Sequence, residues 1–390
     1  MQPHRLRELD GIRGIACAMV LVDHVIMPGV HFENIPGFSH ISAWLIGGVD
    51  LFFVLSGFLI GGILLDNKDT LNYFQVFWAR RAGRILPVYY LLMATFFSML
   101  LIRPLVWAPW LDDYLFKNMM PLWTYPLFVQ NFAQAIDGGE GGARWVASTW
   151  SLAIEEQFYL VVPALVYVMT RRATAAFMTA CIMAALIVRM HLWQMTGSWS
   201  AGYFLLPGRM DSLASGVLGA IAIRHAGTLH ALQRFRRQLD LLAIVACLVL
   251  TTNILGFLDR LLPDSLSFGA RSADFTLRSL VFGYLIVRVF LTPASSRYRR
   301  VLAMRPLVFL GSVSYALYTY HPAINGLLHG FAFGAEPAIS DFAHLLVGFA
   351  VIALSICLAW LSTTYYEMPI RRWSQHVSYR RQPLAAPLEA

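Results

Sequence analysis

Histidine, glutamate and arginine recur inside apolar runs of this chain, at spacings that would let them act together. Arg13 and His24 lie eleven residues apart in the first run. At 3.6 residues per turn and 1.5 Å per residue they project from one helix face, about 16 Å apart. Arg81 and Arg84 are three apart and share a face if that stretch is helical. Glu155 and Glu156 are adjacent, Asp50 precedes LFFVLSGFLI, Arg209 and Asp211 stand in LLPGRMDSLASG, and His321 ends SYALYTYH before Pro322. Ionisable groups at bilayer depth cost several kcal/mol unless paired or wetted, so each is a functional candidate.

A neutral imidazole at mid-depth suits removal of a proton from an attacking hydroxyl. A nearby carboxylate would orient its tautomer, and an Arg or hydroxyl donor would stabilise an oxyanion. Planar guanidinium forks match phosphate better than ammonium does. The pattern therefore fits acyl transfer. A phosphate-rich thioester would dock among Arg13, Arg81 and Arg84, its reactive arm would run along the first helix toward His24, and an alcohol would approach from the other leaflet. Plainer readings stand beside this one. Arginines at a span end also mark the cytoplasmic side and touch lipid headgroups. His24 could be a satisfied core histidine, and His321 could serve a carbonyl freed by Pro322. Adjacent carboxylates cannot both face lipid, so at least one of Glu155 and Glu156 should line a polar cavity. A proton-coupled transporter would use mid-membrane His and Glu too, although transporters usually show internal repeats and none is evident here. A non-catalytic scaffold would leave the buried charges without a purpose.

The elements that must position these groups follow from composition. Of 390 residues 58% are apolar and 13% charged, against roughly 25% charged in soluble domains. The 26 Phe, 16 Tyr and 11 Trp exclude disorder. The four cysteines are far apart with no CxxC pair, which excludes a disulfide scaffold. Mean hydropathy is +0.59, so the chain is expected to be an all-α, polytopic membrane helix bundle. Net charge is +8, but the arginines come in short clusters between apolar runs, which argues for cytoplasmic loops and against a nucleic-acid partner.

A span needs about 20 apolar residues. Runs of that kind lie near 11–30, 43–65, 85–105, 148–169, 174–193, 205–223, 240–258, 274–292, 307–329 and 343–364, about ten in all. The Arg/Lys clusters at 5–7, 68–84, 171–172, 224–237, 297–305 and 371–381 all fall on one side, placing both termini in the cytoplasm. The stretch 106–147, broken by Pro121 and Pro126, reads as a re-entrant or interfacial segment. Residues 1–375 read as one membrane domain and 376–390 as a short basic, disordered tail. Counting depth along these spans brings Asp50, Glu155, Glu156, Arg209, Asp211 and His321 to the level of His24, in the outer half.

At these residues the chain resembles the integral-membrane acyltransferase-3 family, which includes O-antigen, exopolysaccharide and peptidoglycan O-acetylases. LDGIRGIACAMVLVDH is similar to the family's opening motif with its Arg-x10-His spacing, and VDLFFVLSGFLI to its FFxxSGFLI segment. RRAGRILPVYY is similar to its Arg-x-x-Arg loop and WSLAIEEQFYLVVP to its W-S-L-x-x-E-x-Q-F-Y signature. GRMDSLASG, GSVSYALYTYH and YYEMP follow in the family's order.

The resemblance implies a multi-pass enzyme of a bacterial-type inner membrane. It would move an acyl group, commonly acetyl, from cytoplasmic acyl-CoA to a hydroxyl of a glycan, lipid-linked sugar or small metabolite. Acyl-CoA would be a donor substrate, with no permanently bound cofactor and no metal. Arg13, Arg81 and Arg84 would bind the donor, while His24, Glu155, Glu156 and His321 would be catalytic. Asp10, Asp50, Ser56, Arg209, Asp211 and Tyr315, in the same motifs, would support the site. Ala153 stands where many members have Ser. The chain leaves no room for the extracellular esterase-like domain that some members append, so such a second step would need a separate protein.

Overall fold

With no water to satisfy exposed backbone groups, a chain this apolar must close its hydrogen bonds within helices. The computed structural model describes residues 6–28, 39–105, 108–109, 112–139, 141–255 and 264–381. Its ten longest helices are α1 (Arg7–Leu21), α2 (Gly47–Asn67), α3 (Tyr73–Ile102), α4 (Trp150–Val168), α5 (Arg171–Thr196), α6 (Leu206–Ala222), α7 (Arg236–Ile254), α8 (Asp264–Leu291), α9 (Arg305–Phe333) and α10 (Phe342–Ser362). Each matches one of the ten apolar runs. Among the described residues six helices are long and apolar enough to cross a membrane: α2, α3, α4, α5, α7 and α10. The other four, α1, α6, α8 and α9, carry buried charged or histidine side chains. The chain is a multi-pass integral membrane protein.

Local signals set the helix limits. The Thr170 hydroxyl accepts from the Ala173 N–H to start α5, and Gly197, at a left-handed φ of 66°, stops it. Pro163 inside α4 takes away the N–H that would bond the Tyr159 carbonyl; the Trp78 indole N–H donates to that carbonyl instead, at 3.2 Å. This contact, with Tyr73 Oη donating to the Pro163 carbonyl at 3.2 Å, packs the first turns of α3 onto α4. For that reason α3 begins at Tyr73, twelve residues before the expected span, and Arg81 and Arg84 lie within the helix.

The helix α2 is the hub. Of its apolar window 78% is buried, against 6% for α7, so α2 is enclosed by helices while α7 turns most of its surface outward. Backbones approach closely where side chains are absent. A Cβ on Gly57 of α2 would collide with the Leu213 carbonyl of α6, and one on Gly311 of α9 with the Asp10 carbonyl of α1.

The described part of 106–147 forms short turns and helices of span-insufficient length, including Gln130–Ile136 and Arg144–Ala147. Tyr114, Phe116, Tyr125 and Trp145 pack there against Tyr89, Met93 and Phe96 of α3.

The tail differs from its expectation as far as it is described. Instead of running free from 376, the chain docks on the α2–α3 turn: Leu71 N–H donates to the Arg380 carbonyl (2.9 Å) and Asn72 Nδ2 to the Ser378 carbonyl (2.9 Å). Residues 382–390 lie outside the described residues. The same end of the bundle gathers Lys68 against the Met169 carbonyl, Asp66 against Arg224, and Arg80 against the Val377 carbonyl.

Candidate active site

The helices α1 and α9 are pressed together by glycine contacts: a Cβ on Gly14 would strike the Leu307 carbonyl, as one on Gly311 would strike that of Asp10. Two polar groups are placed by this pair. Near one end Arg13 forms an ion pair with Asp10, one turn earlier, at 3.1 Å. Farther along, α1 widens into a π-turn over Val22–Ile26, with Met27 N–H bonded to the Val22 carbonyl. Such turns are frequent at functional sites, and this one carries His24.

His24 Nδ1 lies 2.8 Å from His321 Nε2, and the rings stack with centroids 5.1 Å apart. Their hydrogens follow from the surroundings. His321 Nδ1 is 3.1 Å from the Leu317 carbonyl, which can only accept, so Nδ1 carries the proton. In the neutral ring Nε2 then accepts, His24 Nδ1 donates to it, and His24 Nε2 is left with a lone pair. Asn325, one turn beyond His321, donates from Nδ2 to the His24 carbonyl at 3.1 Å and fixes the π-turn. His321 thus serves a main-chain carbonyl, but that of Leu317 and not the Tyr318 carbonyl that Pro322 frees, and its other nitrogen holds His24.

The second feature is a cavity of about 220 Å³ between α1, α2, α3, α4 and α9. Its polar wall is Arg13, Arg81, Arg84, Glu155, Ser56 and Tyr159, and its apolar wall comes chiefly from α2. Tyr159 Oη donates to Glu155 Oε2 at 3.2 Å and is hydrogen-bonded to Ser56 Oγ. Tyr315 reaches over the cavity to donate to the Ile85 carbonyl at 2.8 Å.

Tyr318 closes the far side. Its hydroxyl is 2.7 Å from Ser151 Oγ and donates to the Ser148 carbonyl, and its ring centroid is 5.9 Å from that of His321. One aromatic ring therefore stands between the arginine-lined cavity and the histidine pair. Neither His24 nor His321 lines the cavity. Glu156 is outside it too, with Oε1 buried and without a hydrogen-bond partner in the structure.

Asp50, Arg209 and Asp211, expected at the level of His24 beside the glutamates, assemble elsewhere. Asp50 pairs with Arg209 and, at 3.2 Å, with Arg278; Asp211 pairs with Arg189 at 2.9 Å. All five are at most 7% exposed, and Arg209 lies over the rings of Tyr203 and Phe275. Glu155, by contrast, faces the arginines of the cavity. The single level of polar groups thus divides into a histidine pair, a cavity and a closed ion cluster, because helix tilt and rotation are set by side-chain packing that residue counting ignores.

Sequence reading missed several members. Tyr159 is i+4 from Glu155 and Asn325 is i+4 from His321, a spacing that puts them on shared faces. Tyr318, Ser151, Arg189 and Arg278 come together through tertiary packing and carry no local signal.

Comparison with known proteins identifies the family. No solved structure matches the chain. It is 26% identical over 385 residues to the O-acetyltransferase OatA of Staphylococcus aureus (strain NCTC 8325 / PS 47), covering 95% of this chain and 58% of that protein. A putative O-acetyltransferase of Staphylococcus aureus (strain COL) is 26% identical over 384 residues, covering 93% of this chain and 57% of its own length. The chain therefore spans under two thirds of these relatives. A family model described as an acyltransferase domain matches residues 6–364, and the chain belongs to this acyltransferase-3 family.

Proposed function

We propose that this protein is an O-acetyltransferase that takes its acyl group from acyl-CoA on the cytoplasmic side and passes it to a hydroxyl of a glycan or related metabolite. The bundle would cross an inner membrane ten times with both termini inside, which puts the arginine-rich end toward the acyl-CoA pool. The observation that carries this reading is the alignment of three parts. Arg13, Arg81 and Arg84 converge on one cavity, Tyr318 forms its far wall, and behind that wall His24 presents an unprotonated Nε2. Names of the relatives support acetyl as the group moved.

In this mechanism the arginines hold donor phosphate and the thioester arm extends toward Tyr318. Rotation of the Tyr318 side chain lets the acyl carbon reach His24. The acceptor oxygen attacks that carbon as His24 Nε2 takes its proton, and His321 holds the His24 ring in the required tautomer. The C–S bond breaks, the thiolate leaves toward the arginines, and the proton taken up by His24 passes through water to that thiolate, which returns His24 to its neutral form. Glu155, bonded to Tyr159, balances the arginines when the cavity is empty. Purified protein reconstituted in nanodiscs with radiolabelled acetyl-CoA and membrane glycan tests the reading. Label should pass to alkali-labile ester in the wild type and not in His24→Ala; equal transfer by both would remove His24 from the chemistry.

A further inference from the structure

A second cavity, of about 400 Å³, opens at the arginine-rich end of α1 and α9 and takes no part in the mechanism above. It is lined by Arg7, Asp10, Arg305, Val308, Phe309 and Ser312. Three of its properties point to one kind of ligand. Arg7 and Arg305 bring two guanidinium groups from different helices to one opening, an arrangement suited to phosphate oxygens. Phe309 offers an exposed aromatic face beside them, and such faces stack on nucleobases whatever the base. Finally, the two cavities share a wall. Asp10 lines this one and Arg13 lines the other, and the two are joined by the 3.1 Å ion pair.

We infer that this outer cavity binds the nucleoside end of the donor, with Arg7 and Arg305 on its phosphates and Phe309 against its base. The inference rests on the acyl-CoA reading. It adds that the donor occupies two adjoining sites, anchored at its nucleotide in the outer one and threaded past the Asp10–Arg13 pair into the inner one. Lipid headgroups also present phosphate but carry no planar base, so Phe309 separates the two sources.

The direct probe is adenosine 3′,5′-bisphosphate, bound to the full chain in nanodiscs of neutral lipid. Wild-type protein should bind it, and Arg7→Ala/Arg305→Ala should bind about tenfold or more weakly through loss of charge-assisted hydrogen bonds. Phe309→Ala should weaken this ligand while leaving binding of inorganic phosphate unchanged. Arg234→Ala, an exposed arginine outside both cavities, should match wild type. No binding by wild type, or equal affinity in the double variant, overturns the proposal. So does an effect of the double variant that is abolished by Phe309-independent competition from anionic lipid, since that marks a headgroup site. Because the readout is binding and not transfer, a protein that binds the bisphosphate yet transfers no acetyl keeps this site and loses the acyltransferase reading.

Discussion

Two sets of three arginines lie inside this bundle and meet opposite surroundings. Arg189, Arg209 and Arg278 are sealed against Asp50 and Asp211; Ser212 donates to Asp50 and Thr276 accepts from Arg189, while the Nε of all three arginines and Nη1 of Arg209 are buried without a hydrogen-bond partner among the described residues. Arg13, Arg81 and Arg84 face a cavity whose wall contributes one carboxylate, Glu155. Breaking a buried ion pair leaves an uncompensated charge away from water and is strongly destabilising, so the ion pairs of the first set act as a joint between α2, α5, α6 and α8. The second set holds positive charge beside open space, an arrangement that favours an anionic ligand. Residue type is the same in both; packing decides whether arginine is sealed in an ion cluster or faces a cavity.

The comparison can be broken from either side. The largest effect is expected beyond the cavity wall, at the histidine pair. His24→Ala should lower acyl transfer by on the order of 10²–10⁴-fold, the usual worth of a general base, with its unfolding transition in detergent unmoved. Next comes Asp50→Ala, which strands Arg209 and Arg278 in a dry interior and should cost about 3–5 kcal/mol of stability. Denaturation in mixed micelles measures it. A stable but inactive Asp50→Ala protein would mean that the closed cluster serves the chemistry after all. Arg84→Ala should do the reverse, raising KM for acetyl-CoA by roughly ten- to a hundredfold, as expected for losing a hydrogen bond between charged partners, without shifting unfolding. If it unfolds like Asp50→Ala, the distinction between bracing and binding arginines fails. The smallest change belongs to Tyr159→Phe, which removes a hydrogen bond to Glu155 worth about 1 kcal/mol. A several-fold fall in turnover with normal assembly is the expected kinetic result.

Much of the fold was legible because a bilayer leaves few options. Each of the ten apolar runs holds a long helix, and among the described residues six of these are long and apolar enough to cross a membrane. The limits were less legible where side chains on different helices intervened. The start of α3 moved to Tyr73 because Tyr73 and Trp78 bond to carbonyls of α4, and the tail is pinned through Asn72. At the site, Arg13, Arg81, Arg84, Glu155, Ser56 and Tyr315 were all anticipated and all line the cavity. The hydrogen bond between His24 and His321 was not deducible, since it depends on a π-turn in one helix and the rotation of another.

Composition and spacing alone determined that this chain is a helical membrane protein, and that arginine, glutamate and histidine would lie within its apolar runs. Those conclusions follow from the cost of exposing peptide groups and charges to hydrocarbon, which is local and additive along the chain. Which buried charges neutralise one another, which face a cavity, and that Tyr318 stands between that cavity and the histidine pair were decided by the tertiary structure. They depend on helix rotation and on close glycine contacts between α1 and α9 and between α2 and α6, and these are properties of pairs of helices that no single run of residues contains.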